Sequence, residues 1–179
     1  GGLTESLFLK GHLIRVLLGF ICMFIFLLID YRSLKLMAPY LLIVSFILLI
    51  FTKSYYLLVG NAKPARWLSI GGFSIQTSDI ARLSLIIFLS YYLDQLKLQI
   101  KNFKSGFLPC IIIIALMMSL IVIQPDFSTA LIIGAIGTII LFIAGAKVRH
   151  ILISTLFAII MSIPIVYFKP YRLARILSF

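Results

Sequence analysis

Phe107 to Gly145 reads FLPCIIIIALMMSLIVI, QPD, FSTALIIGAIGTIILFIAG: two apolar runs of 17 and 19 residues on either side of a three-residue polar break. At about 1.5 Å per helical residue each run spans roughly 25 Å or more, enough to cross the hydrocarbon of a bilayer. Neither run alternates polar with apolar, which excludes barrel strands. Pro109 falls in the first turn of the first run, where a helix loses no donor. Gln124-Pro125-Asp126 ends the first run and Phe127 opens the next. Ala130, Gly134 and Thr138 recur every four residues along the second run, a small-residue stripe on which another helix can pack closely.

Working outward, the same reading extends to the whole chain. Spans are expected at about 12–29, 36–52, 79–95, 107–123, 127–145 and 151–168, with a longer extramembrane loop at 53–78. The fold class is therefore an all-α polytopic membrane protein, one transmembrane domain over 1–179 built as a bundle of about six helices. Composition agrees: 63% of 179 residues are hydrophobic and 12% charged, too little polar surface to cover a water-soluble core of that size. Lys97, Lys101 and Lys104 lie in an amphipathic stretch, Asp94 to Gly106, expected to rest on the membrane surface.

A net charge of +11 points to anionic partners. In a membrane protein these are lipid headgroups or phosphate-bearing lipid substrates, and no nucleic-acid motif is present. Cys22 and Cys110 sit in apolar runs and imply neither a disulfide framework nor a metal site. His12 and His150, far apart at span ends, read as surface residues. No cofactor motif is evident. The chain begins Gly1-Gly2 with no initiator Met or signal peptide, so a fragment lacking sequence at both ends is expected.

The bias of Lys and Arg toward the cytoplasm does not orient the spans. Alternate connections place Arg32, Lys35, Lys97, Lys101, Lys104, Lys147 and Arg149 on one side against Lys10, Lys53, Lys63, Arg66, Lys169, Arg172 and Arg175 on the other. Whichever face is outside carries cations that insertion disfavours, and phosphate binding is a natural use for them.

Chemistry-bearing residues are few. Asp79 and Arg82, three apart, share one helical face. The plainer reading is that Ser78 or Thr77 caps the helix, Asp79 favours its positive end and Arg82 neutralises it. Asp126 is placed to cap the fifth helix, and an ionisable residue between two spans is also a functional candidate. Arg172 and Arg175 lie one turn apart if helical and could clamp a diphosphate or merely snorkel. Trp67 beside Arg66 reads as an interface anchor.

Three of these segments together resemble the SEDS family (shape, elongation, division and sporulation), typified by FtsW and RodA. Ala65-Arg66-Trp67-Leu68 with Gln76-Thr77-Ser78-Asp79 and Arg82 matches the family's A-x-RW-[IL] and Q-P-S-E segments with a Lys three residues on. Thr77 replaces Pro, Asp79 replaces Glu and Arg82 replaces Lys, so charge is kept. Gln124-Pro125-Asp126-Phe127-Ser128-Thr129 stands for Q-P-D-L-G-T, with Ser128 for Gly, and Tyr171-Arg172-Leu173-Ala174-Arg175 for Y-R-x-x-R. The segments 142–147 and 169–172 look closer to the FtsW division branch than to the RodA branch.

The resemblance implies a multi-pass protein of the bacterial inner (cytoplasmic) membrane. It implies a peptidoglycan glycosyltransferase that polymerises lipid II, the undecaprenyl diphosphate-linked disaccharide peptide, with a class B penicillin-binding protein. Gly60 to Ile75 and Gln124 to Asp126 would face outward, and the Lys97 to Lys104 and Lys147 to Arg149 connections inward. Lys63, Arg66, Gln76, Asp79, Arg82, Gln124, Asp126, Arg172 and Arg175 become the expected substrate-binding residues, with Asp126 in a supporting role and room for a divalent cation. The family's catalytic base would lie beyond Phe179, so the catalytic residue is unknown here and these residues alone would be inactive. The rivals are a transporter that flips the lipid-linked precursor and a non-catalytic scaffold of cell division that recruits its partner through the 127–145 small-residue face.

Overall fold

A computed structural model of the chain describes residues 2–59, 67–70 and 73–167. Their contacts divide the chain into two units, Gly1–Met37 and Ala38–Phe179. The first unit contains helix α1 (Gly2–Leu28) and the start of helix α2 (Tyr31–Val59). Asp30 separates the two helices, its carboxylate accepting from the Arg32 backbone N–H at 3.0 Å. That bond satisfies one of the donors a helix leaves open at its start. Pro39, just past the division, lies inside α2 and lacks the amide hydrogen that an interior helical position donates.

The second unit continues along α2 and adds a two-stranded hairpin, β1 (Trp67–Ile70) and β2 (Phe73–Gln76), then α3 (Thr77–Leu96), α4 (Leu108–Ile123), α5 (Phe127–Ile143) and α6 (Val148–Tyr167). The expected loop at 53–78 is thereby corrected. Residues 53–59 remain helical, because neither Gly nor Pro interrupts them before Gly60. Residues 67–70 and 73–76 pair antiparallel with Ile70 opposite Phe73. Gly71 and Gly72, between the strands in sequence, are the residue types a two-residue turn favours.

The stretch from Asp94 to Gly106, expected to rest on the membrane surface, keeps Lys97, Lys101 and Lys104 exposed. Lys97–Lys101 forms a 3-10 turn and Phe103–Phe107 a π-helical turn, and Ile100 and Phe107 are buried at 1% and 0% exposure. The two turns pack because Gly106 has no side chain: a Cβ there would stand 2.2 Å from the Gln99 carbonyl oxygen and 2.6 Å from Ile100 Cα.

Core stripes follow helical spacing. Ala38, Leu42, Ser45, Leu49 and Thr52 of α2 are buried, as are Cys110, Ile114, Met117 and Ile121 of α4 and Ala130, Ile133, Gly137 and Leu141 of α5. Their opposite faces are apolar as well, for example Ile112 and Leu116 on α4 and Leu131 and Ile139 on α5, all exposed. Helices apolar on every side belong in lipid. Tyr31–Leu58 and Phe103–Ile123 are each long and apolar enough to cross a membrane, and His12–Leu28, Phe127–Ile143 and Val148–Ser162 are shorter apolar helices.

Several hydroxyls within the spans are satisfied locally. Ser45, Thr52, Ser84 and Thr138 each donate to a carbonyl three or four residues back at 2.7–2.8 Å. This solution needs no water.

Lipid gives helices no hydrophobic reason to associate, so close packing must do it. The α4–α5 pair depends on Gly134 and Gly137: a Cβ on the first would lie 2.8 Å from Met118 Sδ, and on the second 2.7 Å from Ile114 Cδ1. At Gly134 the small-residue stripe of α5 therefore meets the chain's own α4. Replacing Gly106 by Ala should destabilise the protein by about 2 kcal/mol, since rigid backbone must move. Gly19→Ala, where nothing lies within 4 Å, should cost nothing; denaturant titration in detergent with a helix-content readout checks both.

Candidate functional site

A cluster of buried polar side chains closes one end of the second unit, where β2 runs into α3 and the turn between α4 and α5 comes up beside it. Asp126, 3% exposed, is the N-cap of α5 and its Oδ1 accepts from the Thr129 backbone N–H at 3.4 Å. Its Oδ2 accepts from Gln76 Nε2 at 3.0 Å and faces Ser78 Oγ at 3.5 Å. The Gln76 amide also donates to Ser78 Oγ at 2.9 Å, so one NH2 group serves both the hydroxyl and the carboxylate. Three elements meet on this charge: the end of β2, the first turn of α3 and the start of α5.

Gln124 opens the same turn and is 2% exposed. Its Nε2 donates to the Leu49 carbonyl of α2 at 2.7 Å, which ties the turn to a fourth element. Two fully buried atoms here, Thr77 Oγ1 and Gln124 Oε1, have no hydrogen-bond partner. Buried polar atoms are seldom left so.

The expectation that Thr77 or Ser78 caps α3 is corrected. Gln76 is the N-cap residue and makes no side-chain cap bond, and Thr77 and Ser78 are the first two residues inside the helix, Ser78 turned toward Asp126. Asp79 and Arg82 lie on a different side of α3, their side chains 54% and 38% exposed, paired at 3.0 Å between Asp79 Oδ1 and Arg82 Nη2. An exposed pair of this kind adds at most about 1 kcal/mol. Its value is positional, since two charges cannot face hydrocarbon and this side of α3 must border water or protein.

The structure thus brings Gln76, Gln124 and Asp126 together, with Asp79 and Arg82 one turn away on α3. Lys63, Arg66, Arg172 and Arg175 lie outside the described residues. Sequence reasoning missed the part played by Ser78 and the Leu49 carbonyl. A backbone acceptor on a span has no signature in sequence, and the Gln76–Asp126 bond joins residues fifty apart. Among the described residues no three His, Cys, Asp or Glu side chains gather as a metal site would. His150 is not the surface residue expected: its ring lies 5.2 Å from Phe103 and 5.5 Å from Phe107.

Residues 3–179 match the FtsW/RodA/SpoVE family model, described as cell cycle protein. The chain belongs to this family. It is 35% identical over 179 residues to the probable peptidoglycan glycosyltransferase FtsW of Geobacter sulfurreducens, covering 96% of this chain and 46% of that protein. To the stage V sporulation protein E of Bacillus subtilis it is 28% identical over 172 residues, covering 96% and 47%. The crystal structure of a mutant of the rod shape determining protein RodA of Thermus thermophilus superposes with a TM-score of 0.60 at 23% identity, over 81% of this chain and 47% of that one. The RodA likeness speaks for the fold alone, and the sequence stands closer to the FtsW members. The chain spans about half the length of the relatives it matches.

Within this family fold the Asp126 cluster should behave as one unit. Asp126→Ala should cost about 2 kcal/mol of stability, the worth of hydrogen bonds to a charged group. Asp126→Asn should cost less, because Asn also caps a helix. In a double-mutant cycle Gln76→Ala and Asp126→Ala should fall short of additivity by about 1 kcal/mol, measured by thermal unfolding in detergent.

Proposed function

We propose that this chain is the lipid-embedded half of an inner-membrane peptidoglycan glycosyltransferase that polymerises lipid II. The observation that carries the reading is the 35% identity, over 96% of the chain, to a relative named as a probable peptidoglycan glycosyltransferase. The reaction joins the 4-hydroxyl of one lipid-linked disaccharide to the anomeric carbon of another, with undecaprenyl diphosphate leaving. A carboxylate base takes the hydroxyl proton and cations stabilise the charge that grows on the diphosphate.

Asp126 is 3% exposed and both its oxygens accept hydrogen bonds, so it is poorly placed to take a proton from an incoming sugar. It acts instead as a positioning residue, holding the first turn of α3. The exposed Arg82, steadied by Asp79 at 3.0 Å, is a cation presented at that end of the bundle and suits a diphosphate oxygen. Lys63, Arg66, Arg172 and Arg175 are proposed as further diphosphate ligands, and a class B penicillin-binding protein as the partner. Met118 of α4 lies against Gly134 of the small-residue stripe, which speaks against that stripe as the whole of the partner surface.

Polymerisation of labelled lipid II by the intact protein, with and without a class B partner, tests the reading. Wild type should make glycan strands. Arg82→Ala and the pair Arg172→Ala with Arg175→Ala should each lower the rate at least tenfold, as expected when a charge-stabilising group is lost. Lipid II crossing liposome bilayers with no strands formed under any partner condition would replace the transferase with a transporter.

A further inference from the structure

The end of the second unit opposite Asp126 carries five cations. Lys97, Lys101 and Lys104 come from the connection between α3 and α4, and Lys147 and Arg149 from the turn into α6; all five are exposed. What joins these separate connections is a knot of rings. Phe103 and Phe107 stack at 5.9 Å, and the His150 ring meets both, edge-on at 5.2 Å and tilted at 5.5 Å. Beneath it Ile100, Phe107, Ala146 and Ile151 belong to one buried cluster. Neither connection holds an acid, and Asp94 closes the last turn of α3. Five like charges gathered by packing repel one another, and bound anions relieve that repulsion.

The depth of these charges says which anions. Phe103–Ile123 is long and apolar enough to cross the membrane, and Lys101 and Lys104 flank its first residue. Lys147 and Arg149 flank the first residue of α6. The cations therefore stand within one turn of the hydrocarbon boundary, at the level of lipid phosphates rather than out in water. Phe107 is fully buried while Phe103 is 46% exposed, leaving an aromatic edge beside Lys104 where acyl chains begin.

We propose that this end of the bundle binds anionic glycerophospholipid, its phosphates held between Lys101 and Lys104 on one connection and Lys147 and Arg149 on the other, with Phe103 against the first acyl methylenes. The site is independent of the glycosyltransferase reading, since it lies at the far end of α4 from Asp126. Native mass spectrometry of the intact protein, in detergent with equal phosphatidylglycerol and phosphatidylcholine, reads it directly.

Phosphatidylglycerol should be retained at least tenfold more than phosphatidylcholine, as expected for several basic residues at the headgroup level. Replacing Lys101, Lys104, Lys147 and Arg149 together by Gln should remove the preference. Exchanging Lys for Arg and Arg for Lys at the same positions should keep it, which separates charge from folding, and Lys53→Gln near the other end should change nothing. Equal retention of the two lipids, or an unchanged preference in the Gln variant, would overturn the proposal. So would displacement of the lipid by inorganic phosphate at equal concentration, which would mark a simple anion site.

Discussion

A carboxylate survives burial at the end of a membrane bundle only if its charge is answered by donors, and around Asp126 that demand fixes several elements at once. The donors come from Thr129 on its own helix and from Gln76 fifty residues earlier. Neither bond is strong alone, but losing one would leave a buried charge short of partners, which costs more than the bond is worth. The hairpin and α3 are held to the α4–α5 turn by this asymmetry. The direction in which α3 presents Asp79 and Arg82 is set by it in turn.

Packing along the spans works by a different rule. In lipid the interior and the surroundings are equally apolar, so α4 and α5 gain from each other only what tight contact supplies. Gly134 and Gly137 supply it by admitting Met118 and Ile114. Gly106 makes the same kind of approach at the other end, against backbone rather than side chain. The second unit is thus held by missing side chains along its length and by charge and hydrogen bonds at its end. Ser45, Thr52, Ser84 and Thr138 within the spans return their hydroxyls to carbonyls of their own helices, and Ser78 at the start of α3 turns its hydroxyl to Asp126 instead.

Much of this was legible in the sequence, for identifiable reasons. Apolar runs such as 107–123 announce helices because lipid permits little else, and Gln124-Pro125-Asp126 announces a turn with a cap because Asp is a strong N-cap former. The hairpin at 67–76 was read as loop, since strands of four residues beside a span carry no periodic signal. The lysines at 97, 101 and 104 were legible as the exposed side of an amphipathic stretch, but the two tight turns that bury Ile100 and Phe107 were not. At the site, Gln76, Asp79, Arg82, Gln124 and Asp126 could each be named from residue type and motif order. That Ser78 serves Asp126 rather than its own helix could not, because a hydroxyl one residue into a helix has two uses and only the tertiary fold chooses.

The spacing of these contacts also has a temporal meaning. The α4–α5 hairpin is closed by residues separated by three positions and by glycines within one turn of each other's partners, so it can assemble as soon as both spans have left the ribosome and entered the bilayer. At that moment Thr129 already satisfies one oxygen of Asp126 from within the hairpin. The second oxygen waits for Gln76, which was synthesised earlier and must be brought across from a separate segment. The turn thus combines a contact available within the hairpin itself with one that requires the separate segment ending at Gln76.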